Sequence, residues 1–492
     1  MRRNLLWLAF ILIYHFLFWQ ESPGLNLVVF TLLGLSYQKI QSGQKRVSYR
    51  ELIYALPLAF SAVAVLWINT HWSIFVLMLS FVVYSGYLSN RQSSALENFF
   101  SGLISLVSLR QPVLPQPLIK PENRALRGVL SMRIVLAPLL LFAIFYFLFT
   151  AGNPVFRKIN ADIFGNLFSF LEDVSYTYFF FIVGGILIAR WIFMKIRKTP
   201  LKLPVTSFLQ RRAGKQVFPG LSKALQREYH TAILTFALLN ALLLSVNILD
   251  IKWVWFDFYV PEGFSLKEFV HDGVGWLILS LLISAGLVFY FFRANLNFYR
   301  SNKALRLLGH FWIAQNLVLT ASVFIRTFHY IGFHGIASGR IALLIFLTMV
   351  AFSLTVLLFK VQQKRNAAFA IRWVSAFTLV LWGATALVNW DKVIAGVNLH
   401  HSQQNQIDVN NYLNLDPQVY PYVYAHLDKV EEQIHQHDGN AVRWISYEDI
   451  SEFRTQLDRR ASQYLEERQQ LGVPSWSWAD HRAEAQLNGI LD

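Results

Sequence analysis

Eleven apolar runs, with positive charge rising and falling in alternate gaps between them, constrain this chain more than any other feature. The runs are Leu5–Trp19, Leu25–Tyr37, Leu52–Ile68, Trp72–Leu88, Val129–Phe149, Tyr176–Phe193, Tyr229–Leu249, Val274–Phe292, Phe311–Phe328, Ile341–Phe359 and Ile371–Val388. About 20 apolar residues carry a helix across a bilayer, with a range of roughly 17–25. The first two runs are short. They read as two short spans eased by snorkelling of Arg2 and Arg3, or as a re-entrant hairpin. Both readings leave the parity of every later crossing unchanged. The chain is 55% hydrophobic and 15% charged, against about 25% charged in an average globular protein. The expected fold is therefore all-α, a polytopic transmembrane bundle of nine to eleven spans with a C-terminal helical tail.

The gaps orient the bundle. The N-terminus and the even gaps hold 30 Lys and Arg, and the odd gaps hold 6. Cytoplasmic loops carry the excess of Lys and Arg, so the N-terminus is expected in the cytoplasm and the C-terminus outside. Residues 1–388 hold 36 basic against 13 acidic side chains, and residues 389–492 hold 8 against 16. The basic excess is what cytoplasmic loops require. No basic stripe with interleaved aromatics lies on a soluble segment, so nucleic acid is not an expected partner. The Met-Arg-Arg start resembles the basic region of a signal peptide. Trp19-Gln-Glu-Ser-Pro23 is a poor cleavage site, which favours a signal anchor.

Four segments follow from these patterns. Residues 1–90 form an N-terminal four-span unit. Residues 91–128 hold the amphipathic stretch Ala95–Leu109 and a stiff connector at Arg110-Gln-Pro-Val-Leu-Pro-Gln-Pro117. Residues 129–388 form a seven-span bundle, and residues 389–492 an acidic tail. Residues 195–227 carry nine basic and no acidic side chains, which reads as an ordinary cytoplasmic loop or as a surface for anionic lipid head groups. Two outward loops are apolar. Phe156, Ile159, Ile163, Phe164 and Leu167 are spaced for a helix lying along the interface. Trp253, Trp255, Phe256, Phe258 and Tyr259 suit an interfacial aromatic belt.

In the tail, Asp416 caps a helix with Pro417 at its first position. Val419, Val423, Val430 and Ile434 make that helix's inner stripe. Ser446-x-x-Asp449 resembles a capping box, and Ile450, Phe453, Leu457, Ala461, Tyr464 and Leu471 line the next helix until Gly472 and Pro474 stop it. The expectation is an antiparallel pair of long helices, either a solvated cap on the bundle or a surface for an envelope protein.

Candidate chemistry is sparse. The ninth run is the most polar: Gln315, Ser322, Arg326 and His329 fall at i, i+7, i+11 and i+14, one helical face. They read as hydrogen-bonding glue between helices or as a substrate path, with Arg326 and His329 near enough to the outer end to reach water. Ser375, Thr378, Trp382, Thr385 and Asn389 form a stripe on the last span which, with Gly383 and Ala384, suits a helix–helix seam. Asn240 and Asn247 share a face of the seventh. The chain contains no cysteine, so thiolate zinc sites, iron–sulfur clusters and Cys nucleophiles are excluded. No two His stand at helical i+4 spacing, and neither a metal nor a cofactor is expected; the group His435, His437 and Asp438 near Glu431 is read as solvated surface. No phosphate-binding glycine loop, nucleophile elbow or dinucleotide motif occurs. No Asp or Glu lies mid-span, and no inverted repeat relates the halves, which argues against an ion-coupled carrier.

One resemblance rests on the exit from the last span. Asn389-x-Asp391-x-x-Ile394-Ala395-x-x-Asn398-Leu399 is followed by Tyr412-Leu413-x-Leu415-Asp416-Pro417 and later by Trp476-Ser-Trp478-Ala-Asp-His-Arg482-Ala483. These motifs, with the outward Gly152-Asn-Pro-Val-Phe156, resemble a family of bacterial multi-pass membrane proteins known only as a domain of unknown function, over roughly residues 130–490. The resemblance implies the bacterial cytoplasmic membrane and brings no activity, cofactor or catalytic residue. Physically, Asn389, Asp391 and Asn398 stand where a helix leaves the bilayer and backbone groups need local partners. They read as a joint fixing the tail, or as an outer-face site shared with Arg326 and His329. The leading expectation is a non-enzymatic membrane protein with an outward tail for partner contact or sensing. The alternatives are a carrier or flippase using the ninth span and, behind both, a membrane-embedded enzyme.

Overall fold

Nine of the eleven runs fall on helices in the computed structural model of the chain, which describes residues 16–18, 21–41, 48–89, 94–99, 129–152, 156, 219–256, 273–299, 302–400, 409–437 and 449–491. The run Tyr176–Phe193, most of Leu5–Trp19, the Pro-rich connector, the interfacial stretch after Phe156 and most of residues 195–227 lie outside the described residues. The helices are α1 (Leu25–Gln41), α2 (Tyr49–Trp67), α3 (His71–Ser89), α4 (Val129–Gly152), α5 (Pro219–Asp250), α6 (Gly273–Phe291), α7 (Asn302–His334), α8 (Ser338–Gln362), α9 (Ala367–Thr385), α10 (Trp390–His400), α11 (Asn410–Leu413), α12 (Tyr420–Tyr424), α13 (Leu427–His437), α14 (Ile450–Gln469) and α15 (Trp478–Leu491). No β-strand occurs among the described residues. Among the described residues, seven helices are long and apolar enough to cross a membrane: α2, α3, α5, α6, α7, α8 and α9. Shorter apolar stretches lie in α1 and α4.

The described chain groups into two compact units that cut across the linear segments. One comprises Met1–Gln111, Ile331–Ala342 and Ser375–Asp492, and the other Pro112–Tyr330 and Leu343–Val374. The tail thus belongs with the first spans.

In the tail-bearing unit, Ser48 caps α2 by accepting from Glu51 N–H. Pro57 lies inside α2, and α9 packs there through Gly383, where an added Cβ would sit 2.7 Å from Pro57 Cα. The seam expected on the last span is therefore a close backbone approach. Trp382 and Thr385 continue it: Trp382 meets Trp72 edge-on at 5.6 Å, and Trp72 Nε1 donates to Thr385 Oγ1 at 3.2 Å. The segment expected to be helical from Ala95 begins with a reciprocal capping box, Ser94 with Glu97. Gly86 of α3 lets Asn98 approach, its Cβ position being 1.9 Å from Asn98 O.

The other unit is built around aromatic packing. Phe145 of α4 and Phe236 of α5 meet Trp312 of α7, the first edge-on at 5.4 Å. Gly309 of α7 admits the Phe292 ring, and Lys360 Nζ donates to Phe292 O at 2.8 Å. Asp250 ends the regular part of α5, and a π-helical turn, Ile251–Phe256, continues it.

Within each unit the described span ends gather at two opposite ends. The ends of α4, α5 and α7, each preceding an odd gap, meet at Arg326. Tyr229, which opens the apolar part of α5, stacks on Tyr299 after α6 at the opposite end, where Lys364 also lies over Phe298. In the other unit, the tail touches the connections at 21–25, 69 and 335–336, all in odd gaps. Lys39, Ser48, Glu51 and Tyr84 meet at the even end.

The tail differs from the expected pair of long helices. Its second helix, α14, is continuous, with Phe453, Leu457, Ala461 and Leu465 buried. The first is broken into a 3-10 turn (Pro417–Val419), α12 and α13, with Ala425 and His426 in a turn between the last two. Pro421 supplies no N–H and so begins α12 rather than continuing a longer helix. Val419, Val423, Val430 and Ile434 are nonetheless buried together, so the inner stripe survives the break.

Candidate functional site

The stripe on α7 fastens that helix to α5. Gln315 Nε2 donates to Asn240 Oδ1 at 2.7 Å, and Asn247 Nδ2 donates to Gln315 O at 3.1 Å. Ser322 Oγ accepts from Trp255 Nε1 at 2.9 Å, and His329 Nε2 lies 3.3 Å from Val254 O. Arg326 differs from its expected place in water: it is 0% exposed, with Nη2 on Asp250 Oδ1 at 2.5 Å and Nη1 donating to Gly152 O at 3.2 Å. It does not snorkel because the carboxylate and the carbonyl meet it inside. A guanidinium in apolar surroundings requires such a partner, and its planar fork suits one. The π-helical turn after Asp250 carries both Val254 and Trp255, so an irregular segment presents two of the stripe's partners. Asp250 directly follows the seventh apolar run, which ends at Leu249. Opposite charges at matching ends of two spans are the signal that pairs it with Arg326.

The three exit residues lie in the other unit and have partners of their own. Asn389 Oδ1 accepts from Lys392 N–H and caps α10. Asp391 Oδ2 accepts from Asp416 N–H at 2.9 Å. Asn398 grips the connection after α7 twice, Oδ1 accepting from Ile336 N–H at 2.7 Å and Nδ2 donating to Ile336 O at 2.9 Å. Gly335 there has φ +72°, and a Cβ on it would lie 2.5 Å from Asn398 Oδ1. Asn398 O also accepts from Gln433 Nε2 of α13. These contacts make a joint between the helix exit and the tail.

A second joint was not legible in advance. Asp480, 6% exposed on α15, accepts from Asn69 Nδ2 (2.8 Å), Gln418 Nε2 (2.9 Å), Tyr464 OH (3.0 Å) and Ser477 Oγ (2.6 Å), with Arg468 Nη1 at 3.8 Å. Ser477 caps α15, its Oγ accepting from Asp480 N–H while its hydroxyl donates to the Asp480 carboxylate. The box proposed at Ser446 and Asp449 is displaced: α14 begins at Ile450, so Asp449 takes the cap position, and Ser446 lies outside the described residues. Nearby, Glu21 accepts from Gly472 N–H and Ser475 Oγ. Gly24 lies against the same strand of tail, its Cβ position 2.7 Å from Ser475 O. Burial raises the Asp416 carboxyl to about 6, and repulsion from Asp480 and Asp391 adds to it against the Gln418 N–H and His71. The Tyr464 hydroxyl is also pushed up, by burial and then by Asp480. The side chains of His435, His437 and Asp438 fall outside the described residues.

A family model described as a domain of unknown function (DUF4153) matches residues 55–426. The match begins earlier than the resemblance in the exit motifs implied, taking in α2 and α3, and stops before the closing Trp476–Ala483 segment. No curated protein and no solved structure matches the chain.

Proposed function

The chain belongs to this family, whose description assigns no activity, and from its own residues we propose that it is a non-enzymatic protein of the bacterial cytoplasmic membrane whose tail is a fixed periplasmic docking head. The observation that carries this reading is the Asp480 joint. A tail bonded to the connection at Asn69, and through Glu21 to the one before α1, is a rigid surface rather than a tether. The outer face of α14 is open and charged, with Glu452, Arg459, Glu466 and Glu467 exposed. A preorganised charged face favours partner recognition and orientation. The charge bias of the gaps supports the periplasmic placement. A photo-crosslinking residue at Glu452, Arg459 or Glu466 in intact cells is expected to trap one discrete adduct, lost when Glu466 and Glu467 are replaced by Lys. Absence of an adduct at all three positions rejects the docking head.

One observation favours the carrier as a second reading. Asn247 Oδ1, Gln315 Oε1, Asn316 Oδ1 and Trp312 Nε1 are buried without a hydrogen-bond partner among the described residues. The amide nitrogens of the three carboxamides already donate to Gln315 O, Asn240 Oδ1 and Trp312 O, so their oxygens remain as acceptors. Free acceptors in apolar surroundings invite water or a polar solute. A single cysteine at position 316 that reacts rapidly with a small hydrophilic thiol reagent supports a wet path; an inert one rejects it.

A further inference from the structure

The tail is acidic, yet the turn that follows its longest helix is apolar on the outside. Val473 is 77% exposed, Trp476 38% and Trp478 44%. Their position accounts for this. Trp67, the last residue of α2, is 63% exposed and stacks on Trp478 with ring centroids 6.0 Å apart and planes at 23°. Leu52, Leu56, Val63 and Trp67 are all exposed on α2 at helical spacing, so they form one face. In a helix that crosses the bilayer, such a face meets lipid. The stripe runs directly into Trp478.

A second observation fixes the depth. Tryptophan gathers at this end of the unit: Trp67 closes α2, Trp72 opens α3, Trp382 stands in the last turn of α9, and Trp390 opens α10. Trp72 and Trp390 both donate to Thr385, to its Oγ1 and its carbonyl. Indoles concentrate at head-group level, where the ring is sheltered and the N–H finds a polar partner. The turn 472–476 is held at this level by backbone contacts: Leu25 N–H donates to Trp476 O at 3.0 Å, and Glu21 takes Gly472 N–H.

We propose that Val473, Trp476 and Trp478 form an interfacial anchor, entering the head-group layer of the bilayer beside the lipid-facing stripe of α2. Phospholipid is the occupant because the patch continues a face that already meets lipid. The tail then lies on the membrane as a lid, with α14 turned to water. The anchor holds for either orientation of the chain and does not depend on the docking-head reading.

The chain has no cysteine, so Val473→Cys gives one thiol at an exposed position. The full chain carrying a nitroxide there, in vesicles of phosphatidylethanolamine and phosphatidylglycerol, is compared by power saturation with Val63→Cys on the lipid face of α2 and Ser462→Cys on α14. Oxygen reports lipid and a nickel chelate reports water. The expected oxygen-to-nickel accessibility ratio at 473 lies between the two references and shifts toward that of 462 when Trp476 and Trp478 are both replaced by Ser. A ratio at 473 equal to that at 462 overturns the anchor. So does shielding from both reagents, because protein rather than lipid then covers the turn.

Discussion

Replacing Asp480 by Ala removes the acceptor for four side chains from three separate stretches of chain: Asn69, Gln418, and Tyr464 with Ser477. A hydrogen bond to a charged group contributes roughly 1.5–3 kcal/mol. Four such bonds do not add, because they form one network. The donors of Asn69, Gln418 and Tyr464 are only partly buried and regain water, whereas the Ser477 bond is buried. Removing one member of a buried charged network costs about 3–5 kcal/mol, which we take as the range here. Since about 1.4 kcal/mol is tenfold, the tail should open roughly 100 to 4,000 times more often. Ala483, 2% exposed on the same helix, is the reporter position. In the Cys-free chain, Ala483→Cys reacts with a thiol reagent only when α15 lifts, so its rate under fast reclosing tracks the opening constant. Asp480→Ala should raise that rate by the stated factor while leaving Ser462→Cys unchanged. A rise of less than about tenfold would mean the four bonds are individually dispensable, and the clamp reasoning fails.

Arg326→Leu leaves Asp250 buried beside an apolar side chain and should lower stability in detergent by about 3–5 kcal/mol. Arg326→Leu with Asp250→Leu should recover most of that loss, as thermal unfolding followed by size-exclusion chromatography will read. Gly335→Ala places a methyl against Asn398 at positive φ and should cost on the order of 1–3 kcal/mol; Asn398→Ala in the same chain should relieve the clash but not the backbone strain. Asp416 has its folded-state carboxyl raised to about 6 by burial and neighbouring carboxylates, above the usual carboxylate range near 4. Its contribution to tail stability is therefore fully present below about 4 and lost as pH rises through about 6. Asp416→Asn should close the tail more tightly than the natural residue at pH 7.5, with the difference vanishing toward pH 4, measured by the same Ala483→Cys rate.

Local periodicity carried much of the fold. The nine apolar runs that fall among the described helices, the cap at Asp416 with Pro417, and the stop at Gly472 and Pro474 appear where local chemistry puts them. The α7 stripe was legible as one face because helical spacing is a one-dimensional property. Its partners were not. Arg326 and Asp250 are 76 residues apart, and only the order of spans in space brings them together. The same holds for Asp480 and Asn69, separated by 411 residues. Ser477-x-x-Asp480 could have been read as a helix cap, but its carboxylate also serves two distant donors that no spacing rule relates to it. The break within the first tail helix was missed for another reason. Val419, Val423, Val430 and Ile434 keep helical phase across Ala425 and His426, so the buried pattern conceals the interruption.

Within its own unit the tail sits at the end of the spans away from the Lys39–Glu51 pair, and we place that end outside the cell. Single cysteines at Ser462, exposed on α14, and at Ala304, exposed in the basic stretch opening α7, test it most directly. Intact cells treated with a membrane-impermeant thiol reagent should label position 462 and leave 304 untouched until the cells are broken. Labelling of 304 in intact cells, or of 462 only after breakage, would contradict the account and put the tail in the cytoplasm.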